Sequence, residues 1–185
     1  MRILVAGVGN VFLGDDGFGV AVARHLAGRP APDGVVVTDF GIRGVHLAYE
    51  LTGGRYDHTI LVDAVSRDGP PGTLYVLRPA AGEIPGTFVD AHDMTPDAVL
   101  ALAGTLDGEV GPVLLVGCEP ADVSPGMELS PPVAAAVAPA AGLVLDLVAE
   151  LATAGDGPVA AAGGAARDIS RHKSRGKEGR AWSNA

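Results

Sequence analysis

The chain has 185 residues, 48% of them hydrophobic but only 4% aromatic, with a single cysteine and a mean hydropathy of +0.30. This length suits one domain with an aliphatic core of Val, Leu and Ala, and one thiol excludes an intramolecular disulfide, a zinc ribbon or a four-cysteine iron–sulfur site within the chain. Residues 1–150 hold 7 of the 13 basic residues against 19 of the 22 acids, so the body lacks the clustered Lys and Arg with which a nucleic-acid surface replaces counterions.

Apolar, β-rich runs alternate with helical patterns, the signal for βαβ units and a mainly parallel sheet. The first strand is expected over Arg2–Ala6 and its helix over Gly17–Ala27. Pro30, Pro32 and Gly34 turn the chain into a second strand, Val35–Asp39. A helix over Val45–Leu51 closes at Gly53-Gly54, and His58–Asp63 is the third strand. After the turn residues Pro70-Pro71-Gly72, Thr73–Leu77 reads as a short strand beside the third, as an antiparallel or edge element. Residues 79–94 are irregular. Thr95 then stands as N-cap and Pro96 at the first position of a helix carrying Val99, Leu100, Leu102 and Leu106.

Pro112–Cys118 is the last buried strand, and Ser130-Pro131 caps a final helix to about Leu151. The expected domain is therefore 1–151. Residues 152–185 are rich in Gly, Ala, Ser, Arg and Lys without apolar periodicity, a disordered tail by composition. No internal repeat is evident. No signal-peptide pattern opens the chain, and no apolar run approaches the roughly 20 residues of a bilayer span. A soluble, cytoplasmic, monomeric protein is expected, away from membranes and nucleic acids.

The segment Gly9-Asn-Val-Phe-Leu-Gly-Asp-Asp16 joins the first strand to the first helix. That is the context in which proteins bind phosphate on helix N-termini. The Gly9…Gly14 spacing matches a P-loop, but Asp15 stands in place of its lysine and Asp16 in place of its Ser or Thr. Two carboxylates at that mouth repel a phosphate and suit a cation. In open parallel sheets, ligands collect outside the carboxyl ends of the strands. Asp16, Asp39 at the end of strand two and Asp63 at the end of strand three all belong to that edge, and His92 on the irregular segment is free to reach it. Carboxylates with one imidazole suit a divalent transition metal such as nickel, zinc or manganese.

Each of these residues also has a plainer reading. Asp15 or Asp16 can N-cap the first helix, and Asp63 can bond its own turn. Asp39 can serve a dinucleotide ribose, although Phe12 stands where that fingerprint needs its third glycine. His25, His46, His58 and His172 read as structural or solvated, and Cys118 as a small buried apolar residue.

Several spaced segments in one order resemble the maturation endopeptidases of nickel–iron hydrogenases. Met1–Asn10 with Leu13-Gly-Asp-Asp-Gly-Phe-Gly19 is similar to the family's opening pattern. Asp39-Phe-Gly-Ile-Arg-Gly44 with Leu47 resembles its second motif, and Leu61-Val-Asp-Ala64 its third. Pro71-Gly-Thr73, Ala91-His92-Asp93, Leu115-Val-Gly117 with Pro120, and Ser130-Pro-Pro-Val133 follow in the family's order. The likeness covers about residues 1–150. It departs at Phe40, where the family often has glycine, which adds bulk near a substrate path.

The resemblance implies a three-layer α/β/α fold with a mostly parallel twisted sheet, of the phosphorylase/hydrolase-like kind. It also implies an endopeptidase that removes the C-terminal extension of a hydrogenase large-subunit precursor after nickel insertion. The family's metal-contacting positions map onto Asp16, Asp63 and His92, with the nickel carried by the substrate. Asp39 is left as a general base or a positioning group. Two schemes stay open: a metal that activates water, or three ligands that check for nickel before cleavage. The rival class is a non-catalytic α/β module that binds a nucleotide or a metal.

Overall fold

The computed structural model describes residues 1–78, 96–106, 110–154 and 167–168. Its strands are β1 Ile3–Val8, β2 Val35–Gly41, β3 His58–Ala64, β4 Leu74–Leu77, β5 Val113–Cys118 and β6 Arg167–Asp168. The helices are α1 Phe18–Ala27, α2 Gly44–Thr52, α3 Pro96–Thr105 and α4 Pro131–Ala154. The sheet order is β2-β1-β3-β5-β4-β6. The first four of these neighbours run parallel, whereas β4 is antiparallel to β5 and β6 antiparallel to β4.

The central strands read as continuous apolar runs because both faces of the sheet are covered. Along β1 the side chains alternate between two cores, as the two-residue period of a strand requires. Ile3 and Val5 join Phe18 and Val22 of α1 and Val144 and Val148 of α4. Leu4, Ala6 and Val8 join Leu47 and Leu51 of α2 and Val99 and Ala103 of α3. The result is three layers, with α1 and α4 on one face and α2 and α3 on the other.

Helix α1 sits unusually close to the sheet at Gly19. A Cβ there would overlap the carbonyl oxygens of Val8 and Val62 and lie 2.8 Å from the Val62 carbonyl carbon. Only glycine allows that approach, and it draws the start of α1 onto the ends of β1 and β3.

Four elements differ from the sequence expectation. The short strand β4 does not lie beside β3; it pairs with β5, from Leu74 opposite Cys118 to Leu77 opposite Leu115. Both edges of β3 are already taken by β1 and β5. Second, Gly14–Gly17 is a separate 3-10 turn, and α1 begins only at Phe18. Third, α4 has 24 residues and ends three residues beyond the expected domain limit at 151. Fourth, β6 is a strand inside the stretch expected to be a disordered tail, because Arg167–Asp168 pairs with Tyr75 and Val76 of β4.

By length and composition Pro131–Thr153, with a mean hydropathy of 1.9, is also long and apolar enough to cross a membrane. Its larger side chains, Val133, Val144, Leu147, Val148 and Leu151, are buried in the α1-side core. Its exposed positions are Pro, Ala, Gly, Thr, Asp146 and Glu150. The pattern is that of a one-sided core helix, whose apolar length the sequence reading underestimated because Asp146 and Glu150 interrupt the run.

Candidate active site at the β1/β3 switch point

β1 is flanked by β2 on one side and β3 on the other. The chain leaves β1 through α1 to β2, then crosses by α2, on the opposite face, to β3. The strand order therefore reverses between β1 and β3, and a crevice opens at their carboxyl ends. The loop 9–16 and Asp63 occupy that edge.

Gly9 makes the loop possible. Its φ is +119°, and a Cβ would overlap the Asp16 carbonyl oxygen while standing 3.4 Å from Asp63 Oδ1. The absence of a side chain thus lets Asp16 and Asp63 approach across Gly9. The Asp16 carboxylate accepts the Asn10 amide at 2.6 Å through Oδ2, so the loop closes on itself and is not a side-chain helix cap. Neither the 3-10 turn nor α1 has a side-chain cap. Asp16 is half-buried.

Asp63 is 4% exposed, and its Oδ1 accepts the Ala64 amide at 2.8 Å. Burial pushes its carboxyl well above the usual carboxylate range, and the Asp16 charge pushes the same way, against a smaller opposing effect of the Ala64 amide. Asp63 is thus a buried acid whose ionisation is disfavoured by its surroundings and by the charge beside it. A cation between them relieves both the burial and the repulsion.

Asp39 comes to the same edge but is otherwise engaged. Its Oδ2 bonds Arg24 Nε of α1 at 3.1 Å, and its carbonyl oxygen accepts from Arg43 Nη2. Arg43 also donates to the Phe40 carbonyl at 3.0 Å and lies 5.9 Å from the centre of the Phe40 ring. Phe40 itself is 7% exposed and belongs to the α2-side core. Much of its bulk is therefore spent on packing in that core. β2 runs two residues past Asp39, to Gly41. His92 lies outside the described residues. Among the described residues, no three His, Cys, Asp or Glu side chains form a metal-holding group.

Two buried acids, Asp15 and Glu119, have long-range partners that the sequence does not announce. Asp15, with no exposed surface, reaches across to the segment after β5. Its Oδ2 accepts the amides of Ala121 and Asp122 at 2.8 and 2.9 Å and the Ser130 hydroxyl at 2.8 Å. Its Oδ1 accepts the Ser130 amide at 2.6 Å. Burial alone would raise this carboxyl, but the bonds from Asp122, Ser130 and Ala121 outweigh it and hold the pKa below the ordinary value.

Glu119 is 3% exposed. It takes the Ser66 hydroxyl, the Arg67 amide and the Tyr75 hydroxyl, the last at 2.8 Å. Burial again works upward, and the bonds from Tyr75, Arg67, Gly69 and Ser66 bring the net shift downward. A charge directly after a buried strand, Cys118-Glu119-Pro120, was the available signal. Ser130 also differs from expectation in detail. Its carbonyl receives the Ala134 amide at the start of α4, but its hydroxyl donates to Asp15.

The plainer readings fit Cys118, His25, His46 and His58, whereas His172 lies outside the described residues. Burial, with the charges of Asp15 and Glu119, pushes the Cys118 thiol up to about 12, far from a nucleophile's range. His25 stands 3.1 Å from Arg29 on α1. His46 lies exposed on α2, and His58 opens β3.

Comparison with known proteins gives one consistent answer. Residues 20–147 match a family described as hydrogenase maturation protease. A hydrogenase 2 maturation protease of Escherichia coli is 38% identical over 157 residues, covering 81% of this chain and 92% of the relative. A hydrogenase expression/formation protein, HupD, of Bradyrhizobium diazoefficiens is 33% identical over 155 residues, covering 80% and 79%. Among solved structures, the E. coli hydrogenase maturating endopeptidase HybD superposes with a TM-score of 0.65 at 33% identity, over 81% of this chain and 93% of that one. The hydrogenase 2 maturation peptidase of a Thaumarchaeota archaeon gives 0.61 at 34%, over 80% and 99%.

Proposed function

The chain belongs to the hydrogenase maturation protease family and is a peptidase, and we propose that it removes the C-terminal extension of a nickel–iron hydrogenase large-subunit precursor once nickel has been inserted there. The observation that carries this reading is the Asp16–Asp63 pair at the switch point. One carboxylate comes from the 3-10 turn after β1 and the other from the end of β3, and the buried one resists ionisation because of burial and of its neighbour. That donor set fits a divalent cation brought in by the substrate and offers nothing to a phosphate.

In this scheme the nickel is substrate cargo. Asp16 and Asp63 receive it with His92, and a metal bound there supplies a Lewis acid for the scissile carbonyl. Asp16 is presented by its own loop through the Asn10 amide, and Asp63 by the end of β3. Asp39, held by Arg24 and with its backbone tied to Arg43, orients the peptide at the β2 edge. The cytoplasmic, monomeric setting, away from membrane and nucleic acid, belongs to the same reading and rests on composition. A nucleotide-binding module is disfavoured because Asp15 is fully used in bonds to 121–130 and Asp16 faces the loop mouth.

The test is cleavage of a nickel-loaded precursor beside the nickel-free one. The loaded form should release one short C-terminal peptide and the nickel-free form none. Asp63→Ala and His92→Ala should abolish release, whereas Asp16→Glu should keep it. Equal cleavage of both precursors, or full activity in Asp63→Ala, would refute the nickel-reading mechanism.

A further inference from the structure

Asp16 can face Asp63 only if its loop is fixed relative to the sheet. Most bonds that shape the loop are internal: Leu13 N–H to the Asn10 carbonyl at 3.0 Å, Asp16 N–H to the Leu13 carbonyl at 3.1 Å, and Asn10 N–H to Asp16 Oδ2 at 2.6 Å. They define a curl but do not anchor it. At its start the curl is tied by Gly9 N–H to the Gly41 carbonyl at 3.2 Å. At the end that carries Asp16, apart from the Phe18 amide of α1 on the Asp15 carbonyl, the outward bonds found among the described residues run to one segment, 121–130.

Gly14 donates to the Gly126 carbonyl, Gly126 to the Phe12 carbonyl, and Asp15 to the Asp122 carbonyl, each at 2.9 Å. The Asp15 carboxylate adds four more bonds to 121, 122 and 130. A fully enclosed charge is a costly way to hold a loop unless every lone-pair direction is matched, and here four donors meet it.

We propose that Asp15 is a positioning residue for the cleavage reaction: it clasps the β1–α1 loop to the 121–130 segment and the start of α4, and so holds the Asp16 carboxylate against Asp63. The proposal rests on the reading that Asp16 and Asp63 act together on the substrate. Asp15 itself touches neither substrate nor metal. The geometry makes the adjacent acids complementary: one is enclosed and saturated, the other half-buried, bonded to the Asn10 amide and near enough to Asp63 for its charge to act there.

Asp15→Asn keeps the shape but places an amide N–H against the amide or hydroxyl donors that the carboxylate satisfied. Ser130→Ala removes one of the four bonds and is the milder variant should Asp15→Asn fold poorly. Glu119→Gln is the control, since it disturbs another buried, multiply bonded carboxylate whose partners are Ser66, Arg67 and Tyr75.

The first measurement is hydrogen exchange of the Asn10 amide in the metal-free protein, because that amide bonds Asp16. Asp15→Asn should speed it at least tenfold, Ser130→Ala about two- to threefold, and Glu119→Gln not at all. The second is kcat/KM for the nickel-loaded precursor, well below every variant's Tm. It should fall at least tenfold in Asp15→Asn and stay within twofold in Glu119→Gln at a comparable loss of Tm. Unchanged Asn10 exchange in both Asp15→Asn and Ser130→Ala, or a Glu119→Gln profile matching Asp15→Asn, overturns the proposal. If the wild type cleaves no precursor, the proposed function falls while the exchange measurement still decides the clasp.

Discussion

Gly9→Ala should disable the protein through backbone geometry alone. At φ +119° a side chain is strained whatever the space around it, at about 1–3 kcal/mol for such sparsely populated backbone. The methyl would also overlap the Asp16 carbonyl oxygen and stand 3.0 Å from its carbonyl carbon. That obstacle is backbone, so relief requires moving the loop, at a further ~1–3 kcal/mol. The sum, about 4 kcal/mol, corresponds to a fall in Tm on the order of 10 °C for a domain of this size.

Gly54→Ala is the matched comparison. Its φ is +62° and no atom lies within 4 Å of the added carbon, so only about 1 kcal/mol of left-handed strain applies. Differential scanning calorimetry of both variants isolates the steric part. Precursor cleavage should be lost in Gly9→Ala, because the loop can yield only by carrying Asp16 away from Asp63, and retained in Gly54→Ala. Equal Tm losses, or an active Gly9→Ala, would refute the argument that Gly9 sets the distance between the acids.

Asp63→Asn should raise the Tm of the metal-free protein while abolishing cleavage. A carboxyl whose folded pKa is raised stabilises the fold below its unfolded value of 3.8 and loses that contribution as pH rises through the folded value. The gain from Asn should therefore be largest at pH 7–8 and shrink on acidification, and a constant gain across pH would contradict the assignment. Asp15 and Glu119 have the opposite sign: both are lowered in the fold. Their contribution is present above their unfolded values, near 4, and is lost as pH falls through the folded ones. Urea titrations from pH 7 downward should show wild-type stability falling on this acid limb, with a flatter limb in Glu119→Gln; parallel curves would show that Glu119 contributes nothing.

Much of the architecture was legible in the chain because its signals are local. The apolar runs of Arg2–Ala6, His58–Asp63 and Pro112–Cys118 stand out by composition, and Pro96 and Ser130-Pro131 mark helix starts. The glycine loop with two acids likewise stands out from its residues alone. Partnership between distant segments is another matter, since it depends on strand order and on which side chains meet across it.

Only the order β2-β1-β3-β5 put the loop before α1 beside the end of β3 and brought Asp16 to Asp63. The same order filled both edges of β3 and sent β4 to β5. Asp15 and Asp16 are indistinguishable as neighbours in a sequence, both carboxylates in a glycine loop. Tertiary structure separated them: one meets four donors from residues more than a hundred positions away, whereas the other bonds the Asn10 amide of its own loop. Phe40 shows the same division, for as a residue it reads as bulk on a path, and only packing against Leu47 and Leu51 turns it into core. Local sequence specifies what each segment can form; which acid is enclosed by donors and which stands beside Asp63 is decided by the contacts that long-range folding supplies.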